Sequence, residues 1–409
     1  MKTIWKIRKN LKTKTHISIL ITLTIISLFF NTNTVLGFDL VCQIIQTNGY
    51  PCEIYQVNTE DGYILSLYRI PPKKMNSIPF VLMHGIIGSS ADFALLGKKR
   101  SLGSILHDND YDVWLPSARG TTYSKRHRSL ESNDNKFWDF SWHEIGYYDL
   151  AAVIDFILEK TNQTKVHYVG HSQGSTVCMV LLTEKPEYND KIATASFLAP
   201  VAYLSHLLSP PLRILATKMS DIEQLTRRLN LYEILPTSAL NQLGGHLFCA
   251  PGLATQSLCI LSTYLVVGFS DYELDRNVLP KILETTPAGI SAKQLLHFGQ
   301  AIYSGKFQQY DYGSKQKNFN HYQQKTPPEY NLKNIRIPLY LFYGTKDYIM
   351  VKQDVMILAS QLKNAKVSVI ELRGFNHIDL LYSTEAYRFI YKRILANTKN
   401  YLQNNKIIS

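Results

Sequence analysis

The stretch KVHYVGHSQGSTVCMVLL, residues 165–182, decides the fold. Lys165–Val169 is a short apolar run of strand type, and Ser175–Leu182 is an apolar run of helical type. Gly170-His171-Ser172-Gln173-Gly174 stands between them. A Gly-x-Ser-x-Gly pentapeptide alone arises often by chance. Set between a strand and a helix, it marks a tight, strained turn that lifts a serine hydroxyl above the edge of a sheet. The glycines leave room for neighbouring backbone. The helix behind the serine offers amide N–H groups and a positive dipole end to a developing oxyanion. Ser172 is therefore the expected nucleophile.

A serine hydroxyl needs a base, and the base needs an acid to orient it. In strand–turn–helix sites of this kind the two follow late in the chain, acid before base. Asp347 follows the strand-like run Leu339–Tyr343 through Gly344-Thr345-Lys346, so its carboxylate would emerge at the sheet's carboxyl edge. His377 follows the run Lys366–Leu372 through Arg373-Gly374-Phe375-Asn376. Of the twelve histidines, it alone has both that position and an acid one strand earlier. Asp379 competes for the acid role but would more naturally orient the local loop. The oxyanion donors are expected to be the backbone amides of Gln173 and of Ile86. Ile86 lies in His84-Gly85-Ile86-Ile87-Gly88, after the run Pro79–Met83. His84 itself is expected to hold that loop.

Outward from this centre, the runs Tyr111–Leu115 and Ala193–Leu198 complete a set of short apolar segments. They suit strands buried on both faces. Before them come a helix over Asp39–Gln46 and a hairpin, Glu53–Thr59 and Tyr63–Ile70, around an Asp61-Gly62 turn. A helix over Ser141–Lys160 opens with a capping box, Ser141 and Glu144, and carries an apolar stripe. A last helix over Thr384–Leu395 is expected to cover the sheet edge. The pattern indicates a mostly parallel sheet flanked by helices. Core is expected over 38–202 and 333–409, with one large insertion over 203–332.

The 409 residues carry a net charge of +12. Six of those charges belong to Lys2, Lys6, Arg8, Lys9, Lys12 and Lys14, ahead of an apolar stretch, Ile17–Phe30, and a segment ending Val35-Leu36-Gly37. That order is the pattern of a cleaved secretory signal over 1–37, the alternative being an uncleaved anchor. The mature chain is then only mildly basic, its charges scattered, and no nucleic-acid partner is implied. Five cysteines in an oxidising compartment suggest two bridges, most economically Cys42–Cys52 and Cys249–Cys259, leaving Cys178 free. Asn162-Gln163-Thr164 is a glycosylation sequon at an expected surface turn. No Cys/His cluster has zinc spacing, so no metal is expected.

The chain resembles the acid lipase family, which includes gastric and lysosomal acid lipases and insect relatives. The residues carrying the likeness include Thr59-Glu60-Asp61-Gly62-Tyr63, Ser117-Ala118-Arg119-Gly120, Tyr148-Asp149-Leu150, Gly170–Gly174, Pro287-Ala288-Gly289, Tyr310-Asp311-Tyr312-Gly313 and Asn376-His377-Ile378-Asp379. The resemblance implies an α/β-hydrolase fold whose insertion forms a helical cap, with a lid near Cys249–Cys259. It implies cofactor-free hydrolysis of triacylglycerol or sterol esters at a lipid–water interface, by a secreted or lysosomal enzyme. Ile86 stands where gastric lipase has Leu, and the pair Cys42 and Cys52 is absent from the mammalian members. Alternatives are an esterase for small soluble esters, an acyltransferase, or a catalytically silent binding protein. The run Leu258–Phe269 bears on the choice: it is apolar enough either to meet lipid or to form a buried cap helix.

Overall fold

The computed structural model describes residues 39–237, 249–272 and 274–406. The expected signal over 1–37 lies outside these residues, as does part of the expected insertion, 238–248. Among the described residues eleven strands run in chain order: β1 Glu53–Asn58, β2 Tyr63–Ile70, β3 Pro79–Met83, β4 Asp112–Pro116, β5 Arg126–His127, β6 Val166–His171, β7 Ile192–Leu198, β8 Glu233–Ile234, β9 Ile290–Ser291, β10 Leu339–Gly344 and β11 Val367–Leu372. The main sheet has the order β1-β2-β4-β3-β6-β7-β10-β11, with β5 paired to β2. From β4 to β11 every neighbour is parallel, while β1 and β2 form the antiparallel hairpin. This is the mostly parallel sheet expected.

Every residue of β3, β4, β6 and β7 is buried, whereas β1 and β11 alternate or thin out at the edges. Central strands covered on both faces need apolar residues at consecutive positions, which is why they are so visible in the sequence. The hairpin turn is set by Thr59, whose hydroxyl donates to Asp61 and accepts from the Tyr63 amide, and by Gly62 at φ 99°.

Two helices differ from expectation. The expected helix Ser141–Lys160 does open with the capping box, in which the Ser141 amide donates to Glu144 at 2.6 Å. It then divides into Trp142–Glu144, a wide π-turn over Ile145–Leu150, and Ala151–Thr161. Within that wide turn, Gly146 packs so closely on the following helix that a Cβ there would lie 2.6 Å from the Val177 carbonyl oxygen. The last helix is displaced: a π-turn over Tyr387–Tyr391 leads into Lys392–Asn404. It does not cover the sheet edge. Its buried stripe, Ile394, Thr398 and Leu402, lies against the sheet face at β7, and Tyr401 meets His167 of β6.

Between β7 and β10 the described chain is largely helical: Pro210–Ala216, Met219–Leu229, Gln256–Val267, Leu279–Thr285, Ala292–Ser304 and Lys315–Tyr322. The short pair β8–β9 and an isolated bridge between Gln308 and Glu329 interrupt it. Both short-range disulfides are present, Cys42–Cys52 and Cys249–Cys259, and Cys178 is free and buried.

Candidate active site

The turn after β6 holds Ser172 at φ 53°, ψ −118°, a conformation L-residues avoid and active sites often store. The Ser172 amide donates to the Leu198 carbonyl at 2.8 Å, pinning the turn to β7. Both flanking glycines are obligatory. A Cβ on Gly170 would lie 2.5 Å from the Gly174 carbonyl carbon, and one on Gly174 would collide with the Met83 carbonyl oxygen. The helix Gln173–Glu184 starts at once and is buried over Gln173–Thr183.

Asp347 leaves the carboxyl end of β10, and His377 leaves that of β11. Asp347 Oδ1 accepts from the amides of Ile349 at 2.7 Å and Met350 at 2.8 Å, which aims Oδ2 at His377. His377 Nδ1 donates to that oxygen at 2.8 Å. A carboxylate can only accept, so the proton sits on Nδ1 and leaves Nε2 free to accept from Ser172 Oγ at 3.0 Å. Ser172, Asp347 and His377 are 8%, 2% and 4% exposed. Three residues 30 and 205 positions apart thus meet in one chain of hydrogen bonds.

Asp379 bonds its own loop instead. Its carboxyl accepts from the Asn376 amide at 2.7 Å, and burial pushes its pKa up to about 6. Asn376 braces the loop beside His377: Oδ1 accepts from Ile378 and Asp379, and Nδ2 donates to the Gly268 carbonyl at 2.9 Å. The neighbouring Val267 carbonyl accepts from the amides of Tyr348 and His377, at 3.2 and 3.4 Å. His171 Nε2 donates to the His377 carbonyl at 3.0 Å. Burial lowers the His171 pKa to about 3, so the ring stays neutral.

On the opposite side lies the loop after β3. His84 donates from Nδ1 to the Gly85 carbonyl at 2.7 Å and accepts at Nε2 from the Ala118 amide at 3.1 Å. Burial lowers its pKa to about 4, which keeps this neutral tautomer. His84 therefore holds the loop, as expected. A Cβ on Gly85 would stand 3.3 Å from both Ser172 Cβ and His171 Nδ1, so the bare glycine lets the loop lie close against Ser172. No backbone carbonyl among the described residues takes the amides of Ile86 or Gln173.

Behind the loop, Gly88 rests on the buried Asp92 carboxyl, whose pKa burial raises to about 7. Arg119, fully buried, ties the front of the sheet together. Its guanidinium bonds Asp61 and Asp149 at 2.5–2.9 Å and lies 3.9 Å above the Tyr63 ring. The sequence shows Asp61, Arg119, Asp149 and Asn376 only as scattered members of the motifs that carry the resemblance. Asp92 gave no such signal.

A solvent-facing apolar surface flanks this region. Leu258, Leu261, Leu265 and Phe269 are each 40–65% exposed along and after the helix Gln256–Val267. Leu208 and Ile214, from the adjoining segment around the helix Pro210–Ala216, are exposed too.

A family described as the alpha/beta hydrolase fold matches residues 78–383, and a partial alpha/beta-hydrolase lipase region matches 41–97. Lipase 3 of Drosophila melanogaster is 39% identical over 363 residues, covering 87% of this chain and 92% of that one. The chain belongs to the α/β-hydrolase lipases. Within this lipase family, human lysosomal acid lipase/cholesteryl ester hydrolase is 36% identical over 88% of this chain and 91% of its own. Rat gastric triacylglycerol lipase is 36% identical over 87% and 90%. A solved structure from Sulfolobus solfataricus superposes with a TM-score of 0.56 at 13% identity, over 85% of this chain and 94% of that one, which shows the fold alone. As a member of the family the chain is a carboxylic ester hydrolase.

Proposed function

We propose that the chain hydrolyses esters of neutral lipids, triacylglycerol or sterol ester, through an acyl-enzyme on Ser172. The observation that carries this reading is the unbroken hydrogen-bond chain from Ser172 Oγ through His377 to Asp347. Ser172 passes its proton to His377 Nε2 as Oγ attacks the ester carbonyl, and Asp347 steadies the imidazolium. The amides of Ile86 and Gln173 receive the oxyanion. His377 then protonates the departing alcohol, and water, deprotonated by the same ring, releases the acid. No cofactor enters this scheme.

The insertion 203–332 acts as the cap over a core of 38–202 and 333–409, and the segment stapled by Cys249–Cys259 as its lid. The apolar surface along Gln256–Phe269 supports contact with a lipid surface rather than service as a buried cap helix alone. Two disulfides support a secretory route, extracellular or lysosomal, after removal of 1–37. Asn162 is exposed at the left-handed end of the helix Ala151–Thr161, where a glycan would meet no obstruction.

The test is a chain-length series of p-nitrophenyl esters beside emulsified triacylglycerol and sterol ester, from pH 4 to 8. Activity should rise once substrate exceeds its solubility. Turnover confined to short soluble esters would replace the lipase with an esterase.

A further inference from the structure

The motif Pro287-Ala288-Gly289 and the capping box that follows it have no part in the chemistry above, yet they touch both sides of it. The Ala288 amide donates to the Ile87 carbonyl at 2.9 Å, and the Ala288 carbonyl accepts from the Thr122 amide at 2.7 Å. Gly289, at φ 94°, packs within 3.0 Å of the Gly120 carbonyl oxygen, measured from an added Cβ. The chain then passes through β9 into the helix Ala292–Ser304. There Ser291 Oγ accepts from the Gln294 amide at 2.9 Å and Gln294 Oε1 accepts from the Ser291 amide at 3.3 Å. Ser291 Oγ also donates to the Phe140 carbonyl, which fixes the cap to the core. The Gln294 side chain has one group left over. Its Nε2 donates to Gln173 Oε1 at 2.9 Å, with both residues buried.

We infer that the segment Ala288–Gln294 is a brace that sets the width of the oxyanion hole, with Gln294 its positioning residue. The inference rests on the assignment of the Ile86 and Gln173 amides proposed above. One end of the brace holds the loop carrying Ile86 through its neighbour Ile87. The other holds Gln173 by its side chain, so the amide of the same residue cannot rotate away. Oxyanion donors act because they are fixed at 2.7–3.1 Å from where charge will appear, before it appears. Within the core the loop and the turn meet through the β3–β6 pairing and where Gly174 packs on the Met83 carbonyl, and the cap adds a second connection. That connection is seven residues long, Ala288–Gln294.

Three variants of the full secreted chain test this: Gln294→Met, Gln173→Met and the double substitution. Methionine keeps the length and removes the hydrogen bond, while the Gln173 backbone N–H survives. Active sites are titrated with a phosphonate ester, and kcat and KM are measured per titrated site on a soluble p-nitrophenyl ester. The inhibition constant of an alkyl boronic acid, which forms a tetrahedral anion on Ser172, is measured in parallel. Each single variant should lose about 10-fold in kcat, a fraction of the 10²–10³ lost when an oxyanion donor is deleted. KM should stay within about 2-fold, and boronate binding should weaken by the same factor as kcat. The double variant should be no worse than either single one, because both break one bond. Losses that multiply, an unchanged boronate constant, or fewer titratable sites with normal kcat per site would each overturn the brace. Turnover surviving in Ser172→Ala would overturn the site assignment itself, a result distinct from any of these.

Discussion

β7 and the helix Pro210–Ala216 lie close together in the chain and follow opposite rules. Every residue of β7 is buried, and no residue of the helix is. The strand donates its shape to the nucleophile turn, since the Leu198 carbonyl receives the Ser172 amide. The helix instead presents Ile214 to solvent beside the apolar row of Gln256–Val267. A buried strand tolerates no change of size because its neighbours close on every side. An exposed apolar row costs free energy in water and earns its place only if something else covers it for part of the time. Core and cap should therefore fail differently when altered.

The largest effect belongs to the core. Ser172→Ala should abolish ester hydrolysis, a loss of about 10⁴-fold or more, while the protein remains folded and secreted. Near-normal turnover by the purified variant would end the assignment.

Next comes the pair of buried carboxyls on neighbouring loops. Asp347→Asn should cost about 10⁴-fold in turnover, because the imidazole loses the acceptor that fixes its tautomer. Asp379→Asn should cost less than about 10-fold, its partner being a backbone amide of the loop. Kinetics showing the reverse ranking would transfer the acid role to Asp379.

Smaller effects belong to the cap, and they should depend on the physical state of the substrate. Replacing Leu258, Leu261 and Leu265 together by Ser should lower activity on emulsified triacylglycerol about 10-fold or more. Each leucine brings apolar surface worth about 0.8 kcal/mol per buried methylene to a lipid contact. Activity on a short dissolved ester should change little. Equal losses on both substrates would erase the distinction drawn between the regions.

The smallest effect concerns stability. Asp92 titrates near 7 in the fold, because burial raises it, against an ordinary carboxyl range near 4. The folded protein therefore holds this proton more tightly than the unfolded chain does. The stabilisation is complete below about pH 4 and is lost as pH rises through 7. Asp92→Asn should flatten the fall in Tm over that interval, as followed by thermal melts at pH 4 to 8. An unaltered slope would show that Asp92 is not the group responsible.

How much of this was legible in the sequence follows the same division. β3 and β10 lie where their apolar runs placed them, to within a residue, because covered strands must be apolar without a break. Ser172, Asp347 and His377 could be named from the loops they follow, and the folded chain brings them together. The last helix was misplaced because its stripe does not reveal which part of a sheet it covers. The wide turn at Ile145–Leu150 was hidden because its side-chain pattern is that of an ordinary helix. Gln294 was legible as part of a capping box, Ser291-x-x-Gln294, but its second partner lies 121 positions away. No local pattern encodes such a contact.

The Val267 carbonyl described above sets a mechanical limit on the cap. It is held by the amides of Tyr348 and His377, and the next residue, Gly268, leaves no room for a side chain against the Lys346 carbonyl. The apolar helix is thus fastened here, and at its start as well, where the buried Gln256 donates to the carbonyls of Cys249 and Arg276. Cys259 sits eight residues before Val267, about 12 Å along the helix axis at 1.5 Å per residue. The exposed apolar row is therefore pinned at both ends of its helix, and any movement of it that left the backbone beside His377 in place would first have to break the two bonds of Gln256.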